Sequence, residues 1–199
     1  MKQLPAWVRH PFVFLLGASS FGQALTIIAT PVLTRLYSPV AFGIVAGILG
    51  VVALSQSVVH GRFHFAIPVA ERDEDARSLF ALATLCNLLL ALPVAWLFVQ
   101  LSGEPDVGLA KWFFLALCAT LTILTAQIEI FSYWQSRRER FRITGVNSVA
   151  RAGSAVSLQA GFSPLGALGL VGGAIAGAAV SGLLSIIDLV RTRQSPKWL

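Results

Sequence analysis

Six apolar stretches, each long enough to cross a bilayer as a helix, fill most of this sequence. They run at about 12–33, 41–60, 79–101, 111–134, 143–162 and 165–190. A hydrocarbon core about 30 Å thick needs roughly 20 helical residues. Backbone groups in lipid must be paired within their own segment, so these spans are predicted to be helices rather than an open sheet. Turn signals separate them: Tyr37-Ser-Pro39, Gly103-Glu-Pro-Asp106 and Ser163-Pro164. Composition agrees. Only 12% of residues are charged and 56% are hydrophobic, where a soluble domain carries about 25% charged residues. The expected fold is an all-α integral membrane protein, a six-transmembrane-helix bundle forming one unit over 1–199. The N-terminus, with Lys2 and Arg9 before 12–16, could be read as a cleaved signal peptide, but the apolar run continues to Leu33 and favours a retained first helix.

The net charge of +6 would suggest nucleic acid in a soluble protein. Here the basic residues sit between apolar blocks, where they act as topology signals, and no nucleic-acid partner is expected. With the N-terminus inside, the inner segments hold Lys2, Arg9, Arg62, Arg72, Arg77, Arg137, Arg138, Arg140, Arg142, Arg191, Arg193 and Lys197. The outer segments hold only Arg35 and Lys111. That bias predicts cytoplasmic N- and C-termini.

Arg151 is the remaining cation. It lies nine residues past Arg142, about 13 Å of helix rise against a half-core of about 15 Å. An arginine near the midplane costs roughly 2.5–3.5 kcal/mol on insertion scales. Three arrangements would offset that cost: a protein-enclosed polar cavity, an ion pair with Glu129, or snorkelling to the interface. Polar residues recur on helical stripes around it. The fifth span carries Thr144, Asn147, Ser148, Arg151 and Ser154; the first carries Ser19, Gln23, Thr26 and Thr30; the fourth carries Thr122, Thr125 and Glu129. Singly, such residues are interhelical hydrogen-bonding groups. On three spans together they point equally to a shared polar cavity. The sixth span instead repeats small residues, Gly169, Gly173, Gly177, Ser181 and Ser185, a face suited to close helix packing.

Catalytic patterns are missing. There is no glycine-rich phosphate loop and no Ser/His/Asp or Cys/His constellation, so no enzyme and no cofactor is expected. Cys86 and Cys118 both lie inside apolar blocks, away from metal-ligand spacing. His60 and His64, with Glu71 following, could ligate a metal if they shared one helix. Gly61 and the position at the membrane exit argue against it, and no metal is expected. The run Glu71-Arg-Asp-Glu-Asp75 and the edge residue Asp188 are expected to be solvated.

Several stretches together resemble the polysaccharide-export flippases, including the O-antigen flippases, within the multidrug/oligosaccharidyl-lipid/polysaccharide exporter superfamily. Pro31-Val-Leu-Thr-Arg-Leu-Tyr-Ser-Pro39 with Phe42-Gly43 resembles their first outer loop. Arg62-Phe-His-Phe-Ala-Ile-Pro68 followed by Asp73-Glu-Asp-Ala76 resembles the inner loop after the second span. Ser132-Tyr-Trp-Gln-Ser-Arg-Arg-Glu-Arg-Phe141 is similar to the exit of the fourth span, and Gly166-Ala-Leu-Gly-Leu-Val-Gly-Gly173 to the start of the sixth helix. The order and spacing match over nearly the whole chain. His64 stands where the family often has an acidic residue. Members have two such lobes around a central cavity, so the resemblance implies the N-terminal lobe only: a fragment, a truncated product, or a half that pairs with a second chain.

The implied activity is translocation of an undecaprenyl-diphosphate-linked oligosaccharide across the bacterial inner (plasma) membrane, for lipopolysaccharide or capsule biosynthesis. A diphosphate needs cationic or hydrogen-bonding groups at membrane depth, and guanidinium forks suit phosphate oxygens. Arg151 is expected to meet the diphosphate or charged sugars, with Asn147, Gln23 and Gln56 adding neutral hydrogen bonds. Glu129 is expected to hold Arg151 between cycles or to exchange a coupling ion. The expected partners are the polyprenyl-diphosphate-linked glycan, membrane lipids and the second lobe. Two alternatives remain: a lipid II or drug/cation exporter of the same superfamily, and a non-transporting membrane subunit of a glycan-assembly complex.

Overall fold

The computed structural model describes residues 11–101 and 111–193. Lys2, Arg9, the 103–106 turn and Lys197 lie outside the described residues. Among these residues there are six long helices and no strands. They are α1 (Pro11–Leu36), α2 (Pro39–Val59), α3 (Asp73–Leu101), α4 (Lys111–Arg137), α5 (Phe141–Gly161) and α6 (Ala167–Arg193). One-turn 3₁₀ helices at Phe63–Ala66 and Ser163–Leu165 complete the chain path. The protein is an all-α membrane bundle.

Most helices outrun the apolar stretches that announce them. Hydropathy marks the part inside lipid, while the backbone hydrogen-bond ladder continues into the interface. α3 starts at Asp73 rather than near Leu79, because Asp73, Glu74 and Asp75 fill its first turn, where carboxylates complement the positive end of the helix dipole. α2 starts on a built cap: the Ser38 hydroxyl accepts the Ala41 N–H at 3.2 Å, and Pro39 occupies the first turn. Pro31 and Pro93 lie inside α1 and α3, which continue through them.

Five of the six helices are long and apolar enough to cross a membrane: Val13–Leu36 of α1, α2, α3, α4 and Ala167–Arg191 of α6. The fifth expected span, α5, is of spanning length at 21 residues, yet its polar stripe leaves it less apolar than the rest. It packs closely against α1 on one flank and α6 on the other. Gly145 of α5 faces Ala18 and Phe14 of α1 so closely that an added Cβ would sit 2.9 and 3.1 Å from them. On the other side of the bundle α4 packs against α2 and α3, and α4 and α2 both touch α6. The joint between the two halves is apolar: Ile48, Val52, Val99, Leu115, Cys118 and Val171 are buried together.

The outer surface is apolar as well. Ile27 and Ile28 of α1 are 70% and 72% exposed, and Leu88, Leu89, Leu183 and Val190 also face outward. Such continuous apolar exposure suits acyl chains rather than water.

Charged side chains at the helix ends are tied down. Arg137 donates to the carbonyls of Ile67 and Ala70 at 3.1 and 2.6 Å, and to Asp73 Oδ1 at 2.9 and 3.2 Å. The acidic run is solvated as expected, with Asp73 64% exposed despite this contact, but Asp73–Asp75 belong to α3 rather than to a loop. Asp188, by contrast, is not solvated: it is 14% exposed and pairs with Arg140. The left-handed residue Glu139, at φ 54°, turns the chain between α4 and α5 next to Arg140.

Candidate functional site

A cavity of about 520 Å³ opens between the two halves of the bundle. α1 contributes Ser19, α2 contributes Gln56, α4 contributes Thr125, Glu129, Ser132 and Gln135, and α6 contributes Ser181 and Ser185. Four residues of the α5 stripe line it: Thr144, Asn147, Ser148 and Arg151. A neighbouring cavity of about 280 Å³ is lined by Gln23 and Thr26 of α1. Thr125, Ser148 and Arg151 belong to both, so Arg151 stands at their common wall. The stripes converge because a helical period of 3.6 holds residues three and four apart on one face. Thr30 and Thr122 do not join them. Thr30 bonds back to the Thr26 carbonyl at 2.9 Å, and Thr122 is buried in the helix interface.

Arg151 is exposed to this space and has no carboxylate partner among the described residues. The expected pair with Glu129 is not formed. Glu129 turns instead toward the end of α2, where one carboxylate oxygen lies 3.2 Å from His60 Nε2 and the other 3.5 Å from His64 Nε2. The reason lies in the backbone. α2 ends at Val59, and Gly61 and Arg62 both adopt the left-handed conformation, at φ 53° and 58°. A Cβ at Gly61 would also meet the Phe63 ring at 2.6 Å. This reversal costs roughly 1–2 kcal/mol at Arg62. It brings His64 back over His60, with ring centroids 4.1 Å apart. The two histidines thus do not share a helix, yet they meet, and the acid that joins them is Glu129 rather than Glu71.

Both imidazoles are shut away from solvent, at 3% and 1% exposure. His60 Nδ1 and both nitrogens of His64 have no hydrogen-bond partner. Burial holds His64 below the ordinary imidazole range. The neighbouring His60 pushes in the same direction, Glu129 pulls the other way, and Arg62 adds a further downward push. His64 is therefore neutral at physiological pH.

The neutral amides play unequal parts. Asn147 is buried, and its Nδ2 donates to Ser185 Oγ at 2.8 Å, tying α5 to α6. Its Oδ1 remains without a partner, so it still offers an acceptor. Gln56 lines the larger cavity and is half-buried; Gln23 is exposed in the smaller one. Gln135, not singled out in the sequence, accepts the Thr144 hydroxyl at 3.0 Å and leaves its Nε2 unpartnered. The signal for it was present: Thr125, Glu129, Ser132 and Gln135 continue one helical stripe.

The α6 glycines face α5 and its turn. A Cβ at Gly169 would sit 2.1 Å from the Phe162 carbonyl oxygen and 2.8 Å from the Tyr37 hydroxyl. At Gly173 it would meet Gln159 Cγ at 2.4 Å, and at Gly177 the Arg151 carbonyl oxygen at 2.7 Å. The Tyr37 hydroxyl donates to the Gln159 carbonyl, and Gln159 Nε2 donates to the Leu170 carbonyl at 3.0 Å, locking the same joint. α6 thereby fixes the backbone from which Arg151 projects.

No protein-family model, curated protein or solved structure matches this chain.

Proposed function

We propose that this chain is the N-terminal lobe of a membrane flippase that moves a polyprenyl-diphosphate-linked oligosaccharide between leaflets. In this reading it resides in the bacterial plasma membrane with both termini cytoplasmic, and acts as a transporter rather than an enzyme. The supporting observation is Arg151: a guanidinium without a carboxylate partner among the described residues, on the common wall of two polar cavities, on the least apolar helix. A diphosphate is the ligand class that matches it, because its oxygens accept paired N–H donors. Gln23 and Gln56 extend the hydrogen-bonding wall toward the sugars. The larger cavity, at about 520 Å³, falls within the roughly 300–1,000 Å³ range of small-molecule sites. It holds a headgroup and leaves the remaining glycan for a facing lobe, either a further part of the chain or a second chain. Transport then proceeds by rocking of two lobes about a midplane site.

The test is binding of a short-chain polyprenyl-diphosphate disaccharide to the protein in nanodiscs, compared with the matching neutral polyprenol. A charge-assisted hydrogen bond contributes about 1.5–3 kcal/mol. R151A should therefore weaken diphosphate binding by about tenfold to a hundredfold and leave polyprenol binding unchanged. Equal diphosphate affinity in R151A overturns the reading. Glu129 on the cavity wall favours a second reading, a cation-coupled drug exporter. That reading predicts the opposite pattern, with E129Q inactive and R151A tolerated.

A further inference from the structure

We propose that His60, His64 and Glu129 form a binding site for a divalent transition-metal ion, with zinc the ion that fits best. The site lies where the end of α2 meets α4, at the cavity edge, and does not depend on the flippase reading.

The geometry carries the proposal. Bonds of about 2.0–2.1 Å in a tetrahedral zinc site place ligand atoms roughly 3.3–3.4 Å apart. Here the carboxylate oxygens lie 3.2 and 3.5 Å from the two imidazole nitrogens. One ligand atom from each of the three residues falls within 4.8 Å of the others. The two short distances run to different carboxylate oxygens, so small shifts of the three side chains are needed for the set to close on one ion. The donor set, two imidazoles and one carboxylate, is one that leaves a fourth coordination position open. Glu129 lines the large cavity, so that fourth position faces it and takes water or an anionic oxygen.

Hydrogen bonding gives a second, independent reason. His64 is 1% exposed, and neither of its ring nitrogens has a hydrogen-bond partner. If its Nε2 carries the lone pair, that lone pair faces a carboxylate oxygen at 3.5 Å, and two electron-rich atoms converge with nothing between them. If its Nε2 carries the proton, the Nδ1 lone pair is left buried and unpaired, as is His60 Nδ1. Two imidazolium rings with centroids 4.1 Å apart would repel each other. A divalent cation between the two Nε2 atoms and the carboxylate removes the first conflict and uses both lone pairs. Phe65 and Tyr133 pack on the His64 ring at 4.2 and 4.9 Å and fix its orientation. The left-handed reversal at Gly61–Arg62 brings these groups together, and stored backbone strain tends to cluster at functional sites. Neither Nδ1 has an outer partner, so the site binds about 10–100-fold less tightly than a fully supported one.

The experiment is zinc titration of the full chain in nanodiscs after removal of any affinity tag, with bound zinc read by elemental analysis and affinity by calorimetry. The expected result is one zinc per chain, with H60Q, H64Q and E129Q each weakening affinity by more than the roughly 10–100-fold that loss of an outer partner costs. R151A should bind zinc as the wild type does. Zinc binding absent from the wild type, or unchanged in all three variants, overturns the proposal. Variants that fail to fold leave a decisive wild-type measurement: cobalt bound in place of zinc. Intense visible bands of a tetrahedral centre support the site, and the pale spectrum of hexa-aqua-like cobalt overturns it. Because no transport or glycan binding is read, failure here and failure of the flippase reading are separable.

Discussion

Gly177→Ala tests whether α6 sets the position of Arg151. A methyl group there would lie 2.7 Å from the Arg151 carbonyl oxygen, 2.8 Å from Ala155 Cβ and 3.1 Å from Ala155 N. Two of these three atoms are α5 backbone, so no rotamer change relieves the contact. The Cβ pair falls roughly 0.7 Å short of the ~3.5 Å at which carbons sit comfortably, and α6 must back away from α5. Overpacking of this kind costs typically about 1–3 kcal/mol. In a membrane the loss is not offset by a hydrophobic driving force between helices, because lipid tails are as apolar as the packed surface. Gly172 on the same helix supplies the control. A Cβ there meets nothing within 4 Å, so Gly172→Ala should be neutral or stabilising, since alanine is favoured over glycine in a helix by about 0.8–1.0 kcal/mol. The assay is thermal unfolding in one detergent, followed by tryptophan fluorescence. The expected order is Gly172→Ala at or above wild type and Gly177→Ala well below it. Equal midpoints for the two alanine variants would refute the close-packing argument.

Two further perturbations probe the ends of the bundle. R137A should raise hydrogen exchange of the amides at 60–72 by about tenfold or more, because the guanidinium holds the Ile67 and Ala70 carbonyls as well as Asp73, and bonds to charged groups contribute about 1.5–3 kcal/mol; D73N keeps the two carbonyl contacts and should have the smaller effect. Burial raises the Tyr37 phenol above its usual range, so the unfolded chain ionises first and stability should fall as pH rises past about 10. Y37F should flatten that fall in a denaturant series across the same pH range, and an unchanged slope would show that Tyr37 is not its source.

The helical period made the cavity-lining stripe legible: Thr144, Asn147, Ser148 and Arg151 share one face in the sequence and in the structure. The apolar blocks likewise disclosed the all-α membrane architecture, because lipid leaves the backbone little choice. The partner of Glu129 was not legible. Depth alone put it within reach of Arg151, but the left-handed pair at Gly61 and Arg62 delivers two imidazoles to it first. Nothing in local spacing announces a left-handed arginine, since non-glycine residues rarely adopt that conformation. Asp188 was misread for a related reason: its partner Arg140 approaches from 48 positions away. Such pairings depend on how helices dock, which a one-dimensional pattern does not encode.

Separating Glu129 from Arg151 has an electrostatic consequence. Had they paired, the cavity wall would carry a neutral internal ion pair, and an incoming anion would have to break it before gaining any contact. Both side chains stand open to the cavity, so breaking that pair would cost only about 0–1 kcal/mol, as for other exposed pairs, but it would still offset part of the gain. With the carboxylate taken up by His60 and His64, the guanidinium offers its donors at no such cost. The same arrangement explains why the least apolar helix sits between α1 and α6. Gly145 on one side and Gly173 and Gly177 on the other allow backbones to meet almost in contact, so the polar face of α5 has only the cavity to turn to. Filling either glycine seam would rotate or displace that face toward lipid, where an exposed arginine carries its full insertion cost of roughly 2.5–3.5 kcal/mol. Packing and charge placement in this bundle are therefore one constraint, enforced on the same turns of α5.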